Sequence, residues 1–168
     1  TFNGNGFLNS LNNLVIDEFV SETEYRKNNV GKARLYGFDG RFDFNLYKNY
    51  VVYASAAYVR GQDTGNDLDL PEIPPFNSQI GLKGALFNFL NTEFVTTFAS
   101  EQNKVAAGEA TTPGYTKFDI YFYTNSLSLG GLNSVLSFGV QNITDKAYRN
   151  HLSTYRGIIL VEPGRNFT

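Results

Sequence analysis

Hydrophobic and polar residues alternate with a period of two along most of this chain. Between residues 35 and 46, one parity carries mainly Tyr, Phe and Leu, and the other carries mainly Gly, Asp, Arg and Asn. Such alternation places side chains on opposite faces of an extended strand, whereas a helix repeats every three to four residues. The same pattern recurs at 76–87, 92–101, 115–123 and 135–141. We therefore predict five β-strands with one apolar and one polar face.

Three more strands are predicted with less distinct faces. The segment 49–61 is rich in Val and Tyr, which are enriched in strands, but its two faces cannot be told apart. The segment 7–16 places apolar residues at a spacing that a helix would also give, and we predict a strand there. A short strand begins at Arg165. The fold class is therefore all-β, with about eight antiparallel strands.

The connectors between these strands alternate in length. Short connectors are predicted at 47–49, 88–91 and 126–133, and long ones at 17–29, 61–75, 102–114 and 142–164. Short turns at one end and long loops at the other are typical of an outer-membrane β-barrel. A soluble sandwich would not sort its loops in this way.

The charged residues of the strands oppose the apolar ones. A soluble antiparallel sheet could also have one wet face and one core face, so alternation alone leaves both readings open. Charges in mid-strand favour a barrel whose apolar face meets lipid and whose charged face lines a wet lumen. The predicted lumen charges are Asp39, Arg41, Asp43, Lys83, Glu93, Lys117 and Asp119. The side chains predicted to face lipid are Phe38, Phe42, Phe94, Phe98, Phe118, Phe122 and Phe138.

Composition removes several function classes. A net charge of −2 gives no basic footprint for nucleic acid. The absence of cysteine excludes a disulfide framework and thiolate chemistry, and a single histidine argues against a zinc or haem site made by this chain alone. The sequence contains no nucleophile–base set, no phosphate-binding loop and no paired metal-ligand spacing. We therefore predict no enzyme activity, no catalytic residue, no metal and no cofactor.

Neither a spanning helix nor an export signal is visible in the chain. No apolar run approaches the roughly 20 residues that a transmembrane helix needs. The first residues, TFNGNG, lack the charged and apolar regions of a signal peptide. If the protein is exported, we expect its signal to lie outside these residues.

Five segments, in this order, resemble the C-terminal barrel strands of TonB-dependent outer-membrane receptors. They are NVGKARLYGFDGRFDFNL, LPEIPPFNSQIGLKG, PGYTKFDIYF, FGVQNITDKAYRNHLS and PGRNF, which together cover about 30–167. That family has a strand carrying G-x-[DE] before a proline-rich entry to the next strand. Later come a G-Y-x-x-x-D strand, an N-[LI]-x-[DN]-K-x-Y turn and a G-R-[NT]-F start to the last strand. Residues 1–29 fit as a preceding strand and its loop, without a motif of their own.

The resemblance implies active import across the outer membrane of a Gram-negative bacterium. The cargo would be a scarce nutrient, most often a ferric siderophore or another metal complex, and the energy would arrive through TonB. The other implied partners are outer-membrane lipid and lipopolysaccharide. The family has a 22-stranded barrel that encloses a plug domain, and no plug is visible in this sequence. We therefore expect residues 1–168 to be a C-terminal excerpt of such a barrel, whose first and last strands are not paired with each other.

Ligand contacts in such a receptor would come from the long loops. The candidates are Arg60, Tyr148, Arg149, His151, Tyr155 and Arg156. Arginine can hold an anionic siderophore through paired hydrogen bonds, and histidine could bind zinc or copper. The same residues could instead be solvated loop residues. The segment NITDKAY, 142–148, is expected to form a structural cap with Tyr148 at the membrane interface.

An acidic loop raises one further possibility. Asp63, Asp67, Asp69 and Glu72 offer the hard oxygen ligands that calcium prefers, but their spacing does not match an EF-hand. A solvated acidic loop is the other reading.

Two other functional classes stay open from the sequence. One is a self-contained small outer-membrane barrel that acts as a passive pore or adhesin. The other is a soluble β-sheet domain that binds carbohydrate or protein.

Overall fold

The computed structural model describes residues 1–21, 24–153 and 161–168. Its strands are β1 (Phe2–Ser21), β2 (Glu24–Tyr47), β3 (Tyr50–Asp63), β4 (Leu68–Asp69), β5 (Asn77–Phe87), β6 (Leu90–Ala99), β7 (Tyr115–Thr124), β8 (Leu127–Leu129), β9 (Leu132–Ser134), β10 (Ser137–Gln141) and β11 (Asn166–Phe167). A 3₁₀ turn spans His151–Ser153. The main sheet has the order β1-β2-β3-β5-β6-β7-β10-β11, with β4 paired to β3, while β8 and β9 form a separate hairpin. The predicted antiparallel sheet of about eight strands is confirmed.

Within the described residues the main sheet is open. β1 pairs with β2 and β11 pairs with β10, so these two strands end the hydrogen-bonded order and do not pair with each other. In this part of the chain, no helix has the length and apolarity to cross a bilayer.

The prediction of a long connecting loop at 17–29 is wrong. Here β1 and β2 continue as a long hairpin, since they pair from Phe2↔Phe42 to Ser21↔Glu24. Ion pairs Asp17–Lys27 and Glu18–Arg26, 2.5 and 3.1 Å long, join residues directly opposite in the register. Opposite charges on facing strands stabilise a ladder by about 0.2–1 kcal/mol per pair. Charge pairing thus extends the strands through a segment whose polarity resembled a loop.

The short connector predicted at 126–133 is also more structured than expected, since it contains the β8–β9 hairpin. The turns at 48–49 and 88–89 are short, as predicted.

At an irregularity beside Asn13, the alternation of the long hairpin shifts, so that residues of the other parity face the interior cluster. Asn13 has a φ of 58°, and neither Asn13 nor the facing Gly31 has an assigned partner in the ladder. Ala33 lies on one side of this break and Val30 on the other, three residues apart. Both are buried in one cluster with Leu70 and Ile73. Strict period two would have put Ala33 and Val30 on opposite faces.

The strand registers separate the phenylalanines from the charges. Phe42, Ala54 and Ile80 are directly opposite one another, and so are Arg41, Ser55 and Gln79. Because opposed residues share a face, all the phenylalanines predicted to face lipid lie on one face of the sheet. We call this the aromatic face. The predicted lumen charges lie on the other face, which we call the charged face.

No second sheet covers the aromatic face in the described part of the chain. Phe38, Phe42, Phe94, Phe98 and Phe138 are each 41–49% exposed. In a soluble sandwich these rings would pack between two sheets, so the structure argues against that alternative.

Candidate functional site: the loop end of the sheet

Three long loops and the extended hairpin gather at one end of the sheet. The first long loop runs from 64 to 76 and contains β4, and the second runs from 100 to 114. The described parts of the third are 142–153 and 161–165. The turns at 48–49 and 88–89 lie at the opposite end. We call these two ends the loop end and the turn end.

The first long loop folds back onto the charged face of β3. The backbone N–H of Leu70 donates to the carbonyl of Gly61 at 3.2 Å. A Cβ atom at position 61 would lie 2.7 Å from Cδ1 of Ile73, so any larger residue would have to displace the Ile73 side chain. Leu70 and Ile73 are thereby buried against β2 and β3.

A cavity of about 190 Å³ opens between the extended hairpin, the first long loop and the second long loop. We call it the acidic cleft. Apolar side chains on its wall include Ile16, Val30 and Leu70. The carboxylates that line it are Asp17, Glu18, Asp63, Asp69, Glu72 and Glu109, and no lysine or arginine lines it within the described residues.

Most of these carboxylates already have partners. Asp63 caps the turn that follows it by accepting hydrogen bonds from the backbone N–H groups of Gly65 and Asn66 and from the Asn66 side chain. Asp69 forms a 2.5 Å ion pair with Arg60. In the part of the chain that the structure describes, no three His, Cys, Asp or Glu side chains are grouped to hold a metal ion. The geometry therefore favours a structural role for Asp63 and Asp69 over a calcium site.

A buried polar cluster joins the three long loops. The hydroxyl oxygen of Thr112 lies 3.1 Å from Nδ1 of His151, and Nε2 of His151 lies 3.2 Å from Oε1 of Glu109. Glu109 also accepts hydrogen bonds from the backbone N–H groups of Glu72 and Ala106. We call Thr112, His151 and Glu109 the loop latch. Thr112 and His151 are 2% and 3% exposed.

The electrostatics of the loop latch favour an ionised carboxylate. Burial alone would raise the pKa of Glu109. Hydrogen bonds from His151 and from the backbone N–H groups of Glu72 and Ala106 outweigh that effect and hold the pKa below its ordinary value.

A second buried contact ties the first long loop to the second. The Gln102 side chain is buried, and its Nε2 donates to the carbonyl of Ile73 at 2.6 Å. The backbone of Gln102 also pairs with that of Thr112. Packing of the first loop is therefore linked to the position of the loop latch.

The third long loop starts with a turn built around Asn142. This residue is 2% exposed and has a φ of 51°, which asparagine tolerates better than most residues. Its side chain donates to the carbonyls of Lys146 and Pro163 and accepts from the Lys146 N–H. Its own N–H donates to Oδ1 of Asp119 at 2.8 Å. The expected structural cap in NITDKAY is present.

The end of the same loop returns to this turn. Oδ1 of Asp145 accepts from the Arg165 N–H at 2.7 Å, and Nε of Arg165 donates to the Ile143 carbonyl at 2.9 Å. The turn and the segment entering β11 therefore form one unit.

The candidate ligand residues do not converge on one open surface. Arg60 is held by Asp69, His151 is buried in the loop latch, and the Tyr148 ring packs on Tyr115 with centroids 4.4 Å apart. Burial, with Glu162 and Asp119 nearby, raises the pKa of Tyr148. Arg149 is partly exposed. Tyr155 and Arg156 lie outside the described residues.

The predicted lumen charges bond mainly with one another and with neighbouring strands. Arg41 pairs with Asp43 at 2.8 Å, and Lys117 pairs with Asp119 at 2.7 Å. Asp39 accepts a long hydrogen bond from Asn5, 3.4 Å. The residues of this network are distributed over several strands of one face, as period two predicts. Whether that face lines a lumen remains a prediction.

Sequence reasoning missed the tyrosine at the centre of the charged face. The Tyr53 hydroxyl donates to Glu93 at 2.5 Å, and the Arg41 guanidinium lies 4.7 Å from the Tyr53 ring centroid. The ring also covers Gly81, where a Cβ atom would clash with it. Tyr53 gave no distinct pattern because β3 alternates small and apolar residues on both faces.

Comparisons with known proteins give a consistent picture. The family model described as "TonB dependent receptor-like, beta-barrel" matches residues 1–143. No curated protein matches the sequence. Among solved structures, the chain is similar to the copper transporter OprC, with 24% identity, a TM-score of 0.86 and coverage of 98% of this chain. It is also similar to the ferric citrate transporter FecA in the unliganded form, with 21% identity, a TM-score of 0.72 and 99% coverage.

A third similar structure is BauA, the ferric preacinetobactin receptor from Acinetobacter baumannii. It has 15% identity, a TM-score of 0.65 and coverage of 99% of this chain. The chain spans 27% of the OprC and FecA chains and 25% of BauA, so it matches about a quarter of each. At these identities the likeness concerns the fold.

Proposed function

Because this chain belongs to the TonB-dependent receptor β-barrel family, we propose that it forms part of the wall of a receptor that actively imports a scarce nutrient. TonB-dependent receptors lie in the outer membrane of Gram-negative bacteria, and the family is one of transporters rather than enzymes. Energy for import would be delivered through TonB. The plug on which TonB acts would be supplied by a part of the receptor outside these 168 residues.

The observation that carries the proposal is the separation of the two faces. One face exposes large apolar side chains across several strands, and the other bears ion pairs in mid-strand. A barrel wall between lipid and a wet lumen needs this arrangement. Aromatic side chains also gather at both ends of the strands, with the Phe38–Tyr58 pair toward the loop end and the Phe87–Phe89 pair at the turn end. Aromatic girdles flank the apolar band of outer-membrane barrels.

The proposed cargo is a metal complex, such as a ferric siderophore, rather than a bare metal ion held by this chain. The chain has no cysteine and no methionine, the soft ligands that select copper. Its one histidine lies in the loop latch. The receptors of similar fold include transporters of copper and of ferric complexes, so the comparison leaves both classes available.

The proposed ligand surface of this chain is the acidic cleft. Asp17, Glu18 and Asp69 are ion-paired, so the negative charge of the cleft comes from its other three carboxylates, Asp63, Glu72 and Glu109. Together with the apolar wall, they favour a part of the cargo that is neutral or cationic and partly apolar. This differs from the arginine-held anionic ligand considered from the sequence, because Asp69 neutralises Arg60.

Uptake by the complete receptor tests the transport proposal. The gene for the complete receptor would be deleted from its strain and then restored on a plasmid. Uptake of radiolabelled iron would be measured for a panel of ferric siderophores, and uptake of radiolabelled copper would be measured in parallel. We expect uptake of one complex to disappear when tonB is deleted. Uptake that persists without TonB and without the proton-motive force would identify a passive pore and overturn the proposal.

A charge reversal tests the ligand surface separately. Glu72 is exposed on the cleft, and Glu72→Lys should weaken binding of the transported complex by about fivefold or more, because each close charge contributes about 1 kcal/mol even in water. Glu24→Lys is the matched control, since Glu24 does not line the cleft. Equal affinities for the two variants would place the ligand elsewhere.

A further inference from the structure

The aromatic face changes from apolar to basic toward the loop end of β2. From Leu46 to Tyr36 the residues of β2 on this face are apolar or aromatic, apart from Gly40. The next two residues on the face are Arg34 and Lys32. Their cross-strand neighbours are polar, since Arg34 is opposite Ser10 and Gln62, and Lys32 is opposite Asn12. The apolar band thus ends between Tyr36 and Arg34.

The length of the apolar stretch matches the lipid band of an outer-membrane barrel. The ten intervals between Leu46 and Tyr36, at about 3.4 Å each, cover about 34 Å along the strand. With a strand tilt of about 40°, that length spans about 26 Å along the membrane normal, close to the apolar band of about 25 Å. Arg34 then lies about 5 Å, and Lys32 about 10 Å, beyond the hydrocarbon on the loop side, where the headgroups of the outer leaflet begin.

The two basic side chains are available for a partner. Both residues are exposed, and neither side chain forms an ion pair within the described residues. Arg60, on the same face one row below Arg34, is already paired with Asp69. The net charge of this cluster is therefore positive. Tyr36 and Tyr58 lie just beneath it and offer rings at interface depth.

We propose that Lys32 and Arg34 form a site for the phosphate groups of outer-leaflet lipid, in the form of lipopolysaccharide. Arginine binds phosphate oxygens through its fork of N–H groups, and lysine adds a point charge. The acyl chains of the same lipid would pack on the facing pair Leu8 and Tyr36 and on Phe38 in the next row. This proposal rests on the proposed barrel function, because it requires the aromatic face to meet lipid.

Lipid retention by the purified full-length receptor tests the site. The receptor would be reconstituted into nanodiscs of phosphatidylcholine that contain a minority of diphosphoryl lipid A, then extracted into detergent, and bound lipid A would be counted by native mass spectrometry. Compared with the unaltered receptor, the double variant Lys32→Gln/Arg34→Gln should retain about 25-fold less lipid A, which corresponds to about fivefold for each charge removed. Lys32→Arg/Arg34→Lys should retain it, because the charges are kept.

A matched control removes the same two residue types elsewhere. Arg26→Gln/Lys27→Gln, near the tip of the hairpin and ion-paired to Glu18 and Asp17, should retain lipid A as the unaltered receptor does. Replacing diphosphoryl lipid A with its dephosphorylated form should abolish the difference between the variants, and free inorganic phosphate should not compete.

The outcomes separate this proposal from the proposed function. Receptor that inserts normally but retains lipid A equally with and without the two charges would overturn the lipid site alone. Equal losses in the hairpin-tip control would also overturn it, because general charge would then explain the binding. Failure of the unaltered receptor to insert into any bilayer would instead overturn the barrel assignment.

Discussion

Nδ1 of His151 lies 3.1 Å from the hydroxyl oxygen of Thr112, and this contact joins two loops across 39 residues of sequence. On its other side the His151 ring reaches Glu109, which accepts a hydrogen bond from the first long loop. A residue that resembled a solvated metal ligand therefore holds the three long loops together. The loops should consequently open as one unit rather than separately.

His151→Ala should loosen all three loops at once. It leaves the buried Thr112 hydroxyl and the Glu109 carboxylate without this partner, which costs about 1–3 kcal/mol of local stability. Hydrogen–deuterium exchange of the full-length receptor should show faster exchange at 64–76 and 100–114. Arg149→Ala, in the same loop and partly exposed, should leave both segments unchanged. Faster exchange confined to the third loop would contradict the latch.

Loop packing should weaken in acid because of Glu109. The pKa of Glu109 is lower in the folded protein than in the unfolded chain, where it is about 4.3. The ionised carboxylate therefore contributes its full stabilisation above about pH 4.3, and this stabilisation is lost as the pH falls through the folded pKa. The protection factors at 64–76, which correct for the pH dependence of intrinsic amide exchange, should therefore fall between about pH 4.3 and about pH 3. Glu109→Gln should be looser at neutral pH and should flatten this dependence. An unchanged pH profile in that variant would assign the transition to other carboxylates.

Asn142→Ala should destabilise the turn that leads out of β10. The substitution removes three side-chain hydrogen bonds at a residue that is 2% exposed, and it keeps a φ of 51° that alanine disfavours. We expect a loss of about 2–4 kcal/mol in unfolding by denaturant. Thr144→Ala, exposed in the same turn, is the control and should change stability by less than about 0.5 kcal/mol.

Sequence periodicity predicted the faces of β2, β5, β6 and β7 because these strands pair without a break over their middle residues. It could not predict the outer half of the long hairpin. There the irregularity at Asn13 and Gly31 reverses the parity, and cross-strand ion pairs replace the hydrophobic alternation. The local sequence is thus enough to predict that a strand forms. The change of face at Asn13 and Gly31 depends on how two strands pair, which the local sequence does not show.

The loop site was less predictable than the sheet. His151 looks the same in sequence whether it is solvated or buried, and its neighbours Thr112 and Glu109 come from a distant loop. Only tertiary packing brings them together. The cap at Asn142 was predictable, because asparagine and aspartate in a short turn bond to their own backbone.

A charge in the middle of the aromatic face should impair insertion. Phe42 lies near the middle of the apolar stretch of β2, so Phe42→Arg should cost about 2–4 kcal/mol of folding free energy in lipid. Phe122→Arg, two residues from the end of β7, should cost less, about 0–1 kcal/mol, because it lies near the interface. Asp39→Arg, on the charged face, is the control. The free energy of folding into lipid vesicles would be measured for all three variants. Equal penalties for Phe42→Arg and Asp39→Arg would mean that the two faces do not meet lipid and water.

Residues 1–168 expressed alone should fail to form a heat-resistant monomeric barrel. In the described structure β1 and β11 end the sheet without pairing to each other, so the outer edge of β1 presents unpaired N–H and C=O groups, and its residues Phe2–Leu8 do so beside the apolar band. Each such group costs several kcal/mol in hydrocarbon, and exposed strand edges pair readily with other chains. In detergent the chain should therefore aggregate or stay unfolded, whereas the full-length receptor should migrate as a compact species until boiled. A monomer of residues 1–168 that resists heating would show that β1 and β11 can close on each other, and it would revive the small-barrel alternative.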